Sequence, residues 1–144
     1  MIVLDTTVLV YAKGADHPLR QPSRSLLEAV AAGTVQATTT PEVIQEFVHV
    51  RARRRPRRDA AELGRSLVEL LSPLLTIEEH HLLAGLQLFD RHPRLGPFDA
   101  VLAAAAIASG AEALLSADRT FSDVRGIRHV LPGTPAFDRL LGFS

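Results

Sequence analysis

The chain of 144 residues has no cysteine and a single lysine, Lys13. Without cysteine there are no disulfides and no thiolate metal sites. That fits a reducing cytoplasm. With lysine nearly absent, the positive charge is almost all arginine. Arginine grips phosphate through a planar fork, although a high arginine content also follows from genome composition. No apolar run approaches the roughly 18 residues that a membrane span needs. The N-terminus, MIVLDTTVLVYAKG, has no basic segment and no small-residue cleavage site. It reads as a buried strand interrupted by Asp5, not as a signal peptide. No internal repeat or low-complexity linker divides the chain.

What remains suits one domain over residues 1–144 with one core, since 47% of the residues are hydrophobic. Net charge is zero, with 16 basic and 16 acidic residues. The balance hides the run RARRRPRR at positions 51–58, which holds six arginines in eight residues. It reads as a phosphate grip through Arg51, Arg53, Arg54 and Arg55, or as a solvated helix end.

Apolar spacing places strands at 1–5, 35–39, 74–77 (weakly), 113–116 and 127–131. Between them lie helical stretches at 23–32, 41–55, 60–71, 78–89 and 98–109, and a last turn at 136–141. Residues 6–12 read as a loop or short helix. Thr40-Pro41 is an N-cap followed by proline at the first helical position. Strands alternating with helices predict a mostly parallel sheet of four to five strands between helical layers.

In such sheets ligands gather beyond the carboxyl ends of the strands. Asp5 closes the first apolar run and Asp118 a late one. Either acid alone is also a plain helix cap. On a helical wheel, Glu46 borders the arc of Val43, Ile44, Phe47, Val48 and Val50, where an unpaired carboxylate is costly. Glu42 is the runner-up for the same role, and pairing with an arginine is the alternative account of Glu46. Asp99 shares a face with Leu102, Ala103 and Ala106 and points inward from its first helical turn. Capping explains that position too. All four acids on one edge repel unless a cation sits among them. Oxygen ligands of this kind select Mg²⁺ or Mn²⁺. Thr6 and Ser116 stand near the strand-end acids and can orient them, or simply make turn hydrogen bonds. Histidines 17, 49, 80, 81, 92 and 129 show no metal-ligand spacing and read as surface or packing residues.

These segments resemble the PIN-domain nucleases, and within them the toxins of VapBC toxin–antitoxin modules. The resemblance lies in VLDTTVLVYA, TTPEVIQEFVHV, FDAVLAAAAIASGAEALLSADRTF and IRHV, in that order. It implies a three-layer α/β/α sandwich and a Mg²⁺- or Mn²⁺-dependent endoribonuclease that leaves 5′-phosphate and 3′-hydroxyl ends. It also implies a homodimer neutralised by a small VapB-like antitoxin. Asp5, Glu46, Asp99 and Asp118 fall on the family's acidic positions, and Ser116 on its frequent Ser or Thr. Thr7 stands where many members carry Asn or Ser, and Asp123 matches loosely.

Three other readings compete. One is a PIN-like RNA-processing nuclease outside a toxin–antitoxin system. Another is a non-catalytic RNA-binding module, against which the complete acidic set argues. The third is a phosphoaspartyl phosphatase or receiver-like domain. That one needs a lysine near the late acid, and the only lysine is Lys13.

Overall fold

A computed structural model describes residues 1–142. Its sheet is built from four short strands: β1 (Ile2–Leu4), β2 (Ala37–Thr38), β3 (Ala113–Leu115) and β4 (His129–Val130). They lie in the order β2-β1-β3-β4, and every pairing is parallel. Ile2, Val3 and Leu4 pair with Ala113, Leu114 and Leu115, and all six are fully buried. Continuous apolar runs of this kind are what a sheet covered on both faces requires.

Among the described residues, seven helices flank the sheet as α/β/α layers: α1 (Thr6–Lys13), α2 (Arg20–Ala31), α3 (Pro41–Ala52), α4 (Arg57–Leu71), α5 (Glu79–Arg91), α6 (Pro97–Ala108) and α7 (Pro135–Leu140). Residues 6–12, open between loop and helix in the sequence, belong to α1, and 20–22 extend α2 into the expected loop. The N-cap at Thr40 forms as the sequence implies, its hydroxyl accepting the Val43 N–H at 3.2 Å. The arginine run does not prolong α3. Residues 53–56 turn the chain into α4, which starts just after Pro56.

The weak strand at 74–77 does not form. Pro73 has no N–H to offer a ladder. The segment meets the β2 edge through one backbone bond, Leu75 N–H to the Thr39 carbonyl at 2.9 Å. The Thr38 hydroxyl adds a bond to the Pro73 carbonyl, also at 2.9 Å. This covers the edge of β2 without extending the sheet.

Two packing choices set the site. In α6, Ala100, Leu102, Ala103, Ala104, Ala105 and Ala106 are all buried. Small side chains let this helix, and Asp99 at its start, lie close to its neighbours. Gly85 is the only buried residue of α5. A Cβ there would stand 2.6 Å from Val101 Cγ2, 2.7 Å from Val101 Cα and 3.0 Å from Val101 N. The absent side chain lets α5 rest on the backbone of α6.

Gly85→Ala therefore tests the packing behind Asp99. Alanine is the better helix former by about 1 kcal/mol. Because the clash involves backbone, overpacking should dominate and destabilise the fold by about 1–3 kcal/mol in urea denaturation. A variant at least as stable as the parent would show that α5 and α6 can separate freely.

Candidate active site

The strand order reverses its direction of growth between β1 and β3, so the crevice beyond their carboxyl ends is the switch point where such sheets bind ligands. Asp5 follows β1 directly, and its N–H donates to the Leu115 carbonyl of β3 at 2.9 Å. Asp118 follows β3 and caps the 3-10 turn Arg119–Asp123, its Oδ1 accepting the Thr120 N–H at 2.9 Å. Asp99 sits in the first turn of α6, and Glu46 in the middle of α3. All four acids line one pocket of about 270 Å³, together with Thr6, Thr7, Val10, Tyr11 and Val50.

The acids differ in setting. Asp5 is buried. Its Oδ2 accepts the Ser116 hydroxyl at 2.6 Å and the Thr7 hydroxyl at 3.1 Å. Burial raises its pKa above the ordinary carboxylate range. The Ser116 hydroxyl, the Thr6 N–H and the Thr7 hydroxyl pull it back, and the Glu46 charge adds a small push upward. Asp99 is half-buried and pushed up to about 7 by burial first, then by the charges of Asp5, Asp118 and Glu46. No hydrogen bond offsets these causes. Glu46 is exposed rather than tucked at the core boundary; Val43, Ile44 and Phe47 carry the buried face of α3. Its carboxylate is nevertheless aimed at the pocket, where Oε2 accepts the Thr6 hydroxyl at 2.9 Å.

The two threonines after Asp5 thus divide the work. Thr6 orients Glu46, and Thr7 orients Asp5. Thr7 also accepts the Ala117 N–H at 2.9 Å and lies 3.3 Å from the Ser116 hydroxyl. Its role is larger than the sequence assigned it. The available signal was the DTT order after a buried strand, which places two hydroxyls in the first turn of α1 beside the strand end.

Glu42 is elsewhere. It lines a larger groove of about 860 Å³ that shares Asp5, Glu46 and Asp99 with the pocket and runs on past His49, Leu82, Leu86 and Phe98. Asp123 is also outside the pocket, paired with Arg94 at 2.7 Å. The arginine run is split. Arg51 is mostly buried; it pairs with Asp59 at 3.1 Å and donates to the Lys13 carbonyl at 2.7 Å, tying α3 to α4 and to the end of α1. That makes it a structural tie and not a free phosphate grip. Arg53, Arg54 and Arg55 are exposed on the turn, with Arg53 3.1 Å from His49 Nε2.

The histidines do not gather. His17 stacks on Tyr11, with centroids 4.4 Å apart, and His81 closes the capping box of α5. Among the described residues, no three acidic or imidazole side chains converge tightly enough to enclose an ion as they stand. One oxygen each of Asp5, Glu46 and Asp118 is held by a protein donor. The donor set still fits a hard divalent cation: it is all oxygen, and none of the four acids forms an ion pair among the described residues.

A family model for the PIN domain matches residues 2–127. The chain belongs to the PIN-domain family. Ribonuclease VapC7 of Mycobacterium tuberculosis is 55% identical over 146 aligned positions, covering 99% of both chains. Ribonuclease VapC23 of the same species is 32% identical over 124 positions, covering 85% of this chain and 96% of the relative. Among solved structures, VapBC2 from Rickettsia felis bound to a promoter DNA fragment superposes with a TM-score of 0.70 at 17% identity, over 91% of this chain and 98% of that one. Mycobacterium tuberculosis VapC20, a sarcin-ricin loop cleaving toxin, gives 0.67 at 16% identity, over 89% and 99%. At such identities the structures speak for the PIN fold, which the sheet order and helical layers match.

The raised pKa of Asp99 makes the metal-free protein sensitive to pH. The unfolded chain releases this proton near 3.8, whereas the folded chain holds it up to about 7. Folding therefore binds a proton between those values, and the stability contribution present at low pH is lost as pH rises through the window. Asp99→Asn should remove that loss. Its metal-free melting temperature should exceed the parent's at pH 8 by about 2–4 °C more than it does at pH 5. An equal difference at both pH values would mean that the carboxyl does not titrate in this range.

Proposed function

We propose that this PIN-domain protein is a ribonuclease of the VapC kind, and that Asp5, Glu46, Asp99 and Asp118 hold a divalent cation, Mg²⁺ or Mn²⁺, where RNA is cut. The observation that carries the reading is four carboxylates around one pocket at the sheet's switch point, with Asp99 raised to about 7 and, among the described residues, no cationic side chain paired to any of them. Relatives named as VapC ribonucleases, at 55% and 32% identity, support the substrate class.

A bound divalent ion supplies positive charge for the scissile phosphate and makes attacking water more acidic. The chain's own groups prepare for it. Ser116 and Thr7 fix the rotamer of Asp5 through one carboxylate oxygen. Thr6 does the same for Glu46, and the Thr120 N–H for Asp118. Asp99, raised to about 7 in the metal-free protein, would give up its proton and join the other carboxylates as a ligand were a cation bound. Glu46, being exposed, stands nearest to solvent and incoming substrate. Arg53, Arg54 and Arg55 on the α3–α4 turn supply the positive charge that the acidic pocket lacks, and we assign them to the RNA backbone.

A VapB-like antitoxin, a second copy of the chain and a cytoplasmic setting complete the proposal. The neighbouring VapBC structures support the antitoxin. Among the described residues no helix is long and apolar enough to cross a membrane.

Asp5→Asn and Asp99→Asn should fold and lose RNA cleavage in Mn²⁺ by roughly a hundredfold to a thousandfold. Folded variants cutting at the parental rate would refute the metal assignment. Replacing Arg53, Arg54 and Arg55 together by alanine should flatten the salt dependence of RNA affinity. For single-stranded RNA the slope should fall by about 0.7 for each phosphate that the turn no longer neutralises. An unchanged slope would leave the turn as a solvated surface.

A further inference from the structure

Ser116 and Ser122 bracket the segment that carries Asp118, and one imidazole spans them. His129, on β4, meets the Ser116 carbonyl through Nε2 at 2.9 Å. A carbonyl oxygen only accepts, so the proton of the neutral ring is on Nε2. Nδ1 is then the acceptor for the Ser122 hydroxyl, also at 2.9 Å. The ring is backed by Phe121, fully buried, with centroids 5.9 Å apart.

Ser116 is engaged from both sides. His129 takes its carbonyl. Its hydroxyl donates to Asp5 Oδ2 at 2.6 Å and accepts the Asp118 N–H at 2.9 Å. His129 does not line the acidic pocket, so whatever it does there passes through Ser116 and the segment it pins.

We infer that His129 is a positioning residue: its imidazole clamps the 116–122 segment so that Asp118 and, through Ser116, Asp5 are held in register for the divalent cation. The inference rests on the metal reading given above. Groups that orient a ligand without touching the ion commonly set metal affinity by tenfold or more. The two ring nitrogens have different isosteres. A glutamine amide reaches the place of Nε2, whereas an asparagine amide reaches only that of Nδ1. A clamp acting through the Ser116 carbonyl is therefore restored by glutamine and not by asparagine. A side chain that merely fills space distinguishes neither.

Calorimetric titration of the whole chain with Mn²⁺, free of RNA, tests this. It compares the parent with His129→Ala, His129→Gln and His129→Asn, each with its metal-free melting temperature. The expected result is Mn²⁺ affinity about tenfold weaker in His129→Ala and His129→Asn, with His129→Gln within about threefold of the parent. In RNA cleavage, kcat should fall in the same order with KM nearly unchanged. Parental Mn²⁺ affinity in His129→Ala would overturn the clamp, as would equal losses in the glutamine and asparagine variants. Should the alanine variant fail to fold, the glutamine–asparagine pair decides alone. A parent chain that takes up no Mn²⁺ would overturn the metal reading itself, and the inference with it, before any variant is compared.

Discussion

A carboxylate held inside the protein at the end of the central strand is the constraint around which this structure is arranged. Asp5 is buried, and burial opposes its charge. An ionised group so placed is costly unless it is hydrogen-bonded or paired. The fold supplies hydroxyls, from Ser116 and Thr7, and, among the described residues, no cationic partner. Those hydroxyls belong to different elements. Ser116 follows β3, and Thr7 lies in the first turn of α1. The bonds that make Asp5 tolerable therefore also lock the β3 exit against the start of α1, and the Asp118 segment comes with them.

The short strands make this locking important. The sheet's strands run for only two or three residues each. Such ladders constrain the loops beyond them weakly. Side-chain bonds do that work instead: Thr39 Oγ1 to the Leu4 carbonyl at 2.6 Å, Thr7 to the Ala117 N–H, and His129 to the Ser116 carbonyl. Each crosses between elements near the same edge of the sheet. Rigidity is concentrated where the four acids are presented.

Much of this was legible in the sequence, for physical reasons. Ile2-Val3-Leu4 and Ala113-Leu114-Leu115 are short apolar runs that end on polar groups, which marks both strands and their carboxyl ends. The inward face of α6 was legible because Asp99, Leu102, Ala103 and Ala106 repeat with helical period. Glu46 was harder. The wheel favoured it over Glu42, which lies outside the smaller pocket, yet misjudged its exposure. What draws its carboxylate inward is Thr6, forty positions away. The strand expected at 74–77 looked β-like by composition, but Pro73 and a single backbone bond leave it as an edge cover. Arg51 could not be told from its neighbours in the run. Only the fold brings it to Asp59 and the Lys13 carbonyl. His129 read as a surface or packing residue, since a lone histidine carries no spacing signal and its partners lie just past another strand and in a 3-10 turn.

The same electrostatics that define the pocket set a cost on the protein without a cation. Asp99 keeps a proton up to about 7 because burial, and then the three other acids, oppose its charge. A divalent ion reverses the sign of that local field, so occupying the site should stabilise the fold and release the proton together. The arrangement is selective in another way. The large groove beyond the pocket shares Asp5, Glu46 and Asp99 with it and adds Glu42, Thr40, Gln45 and His49 among apolar side chains, with no arginine or lysine among the described residues that line it. Without a cation, a polyanion gains nothing there from charge. In the proposed reading the RNA backbone finds its positive partners at the cation and on exposed turns such as 53–55.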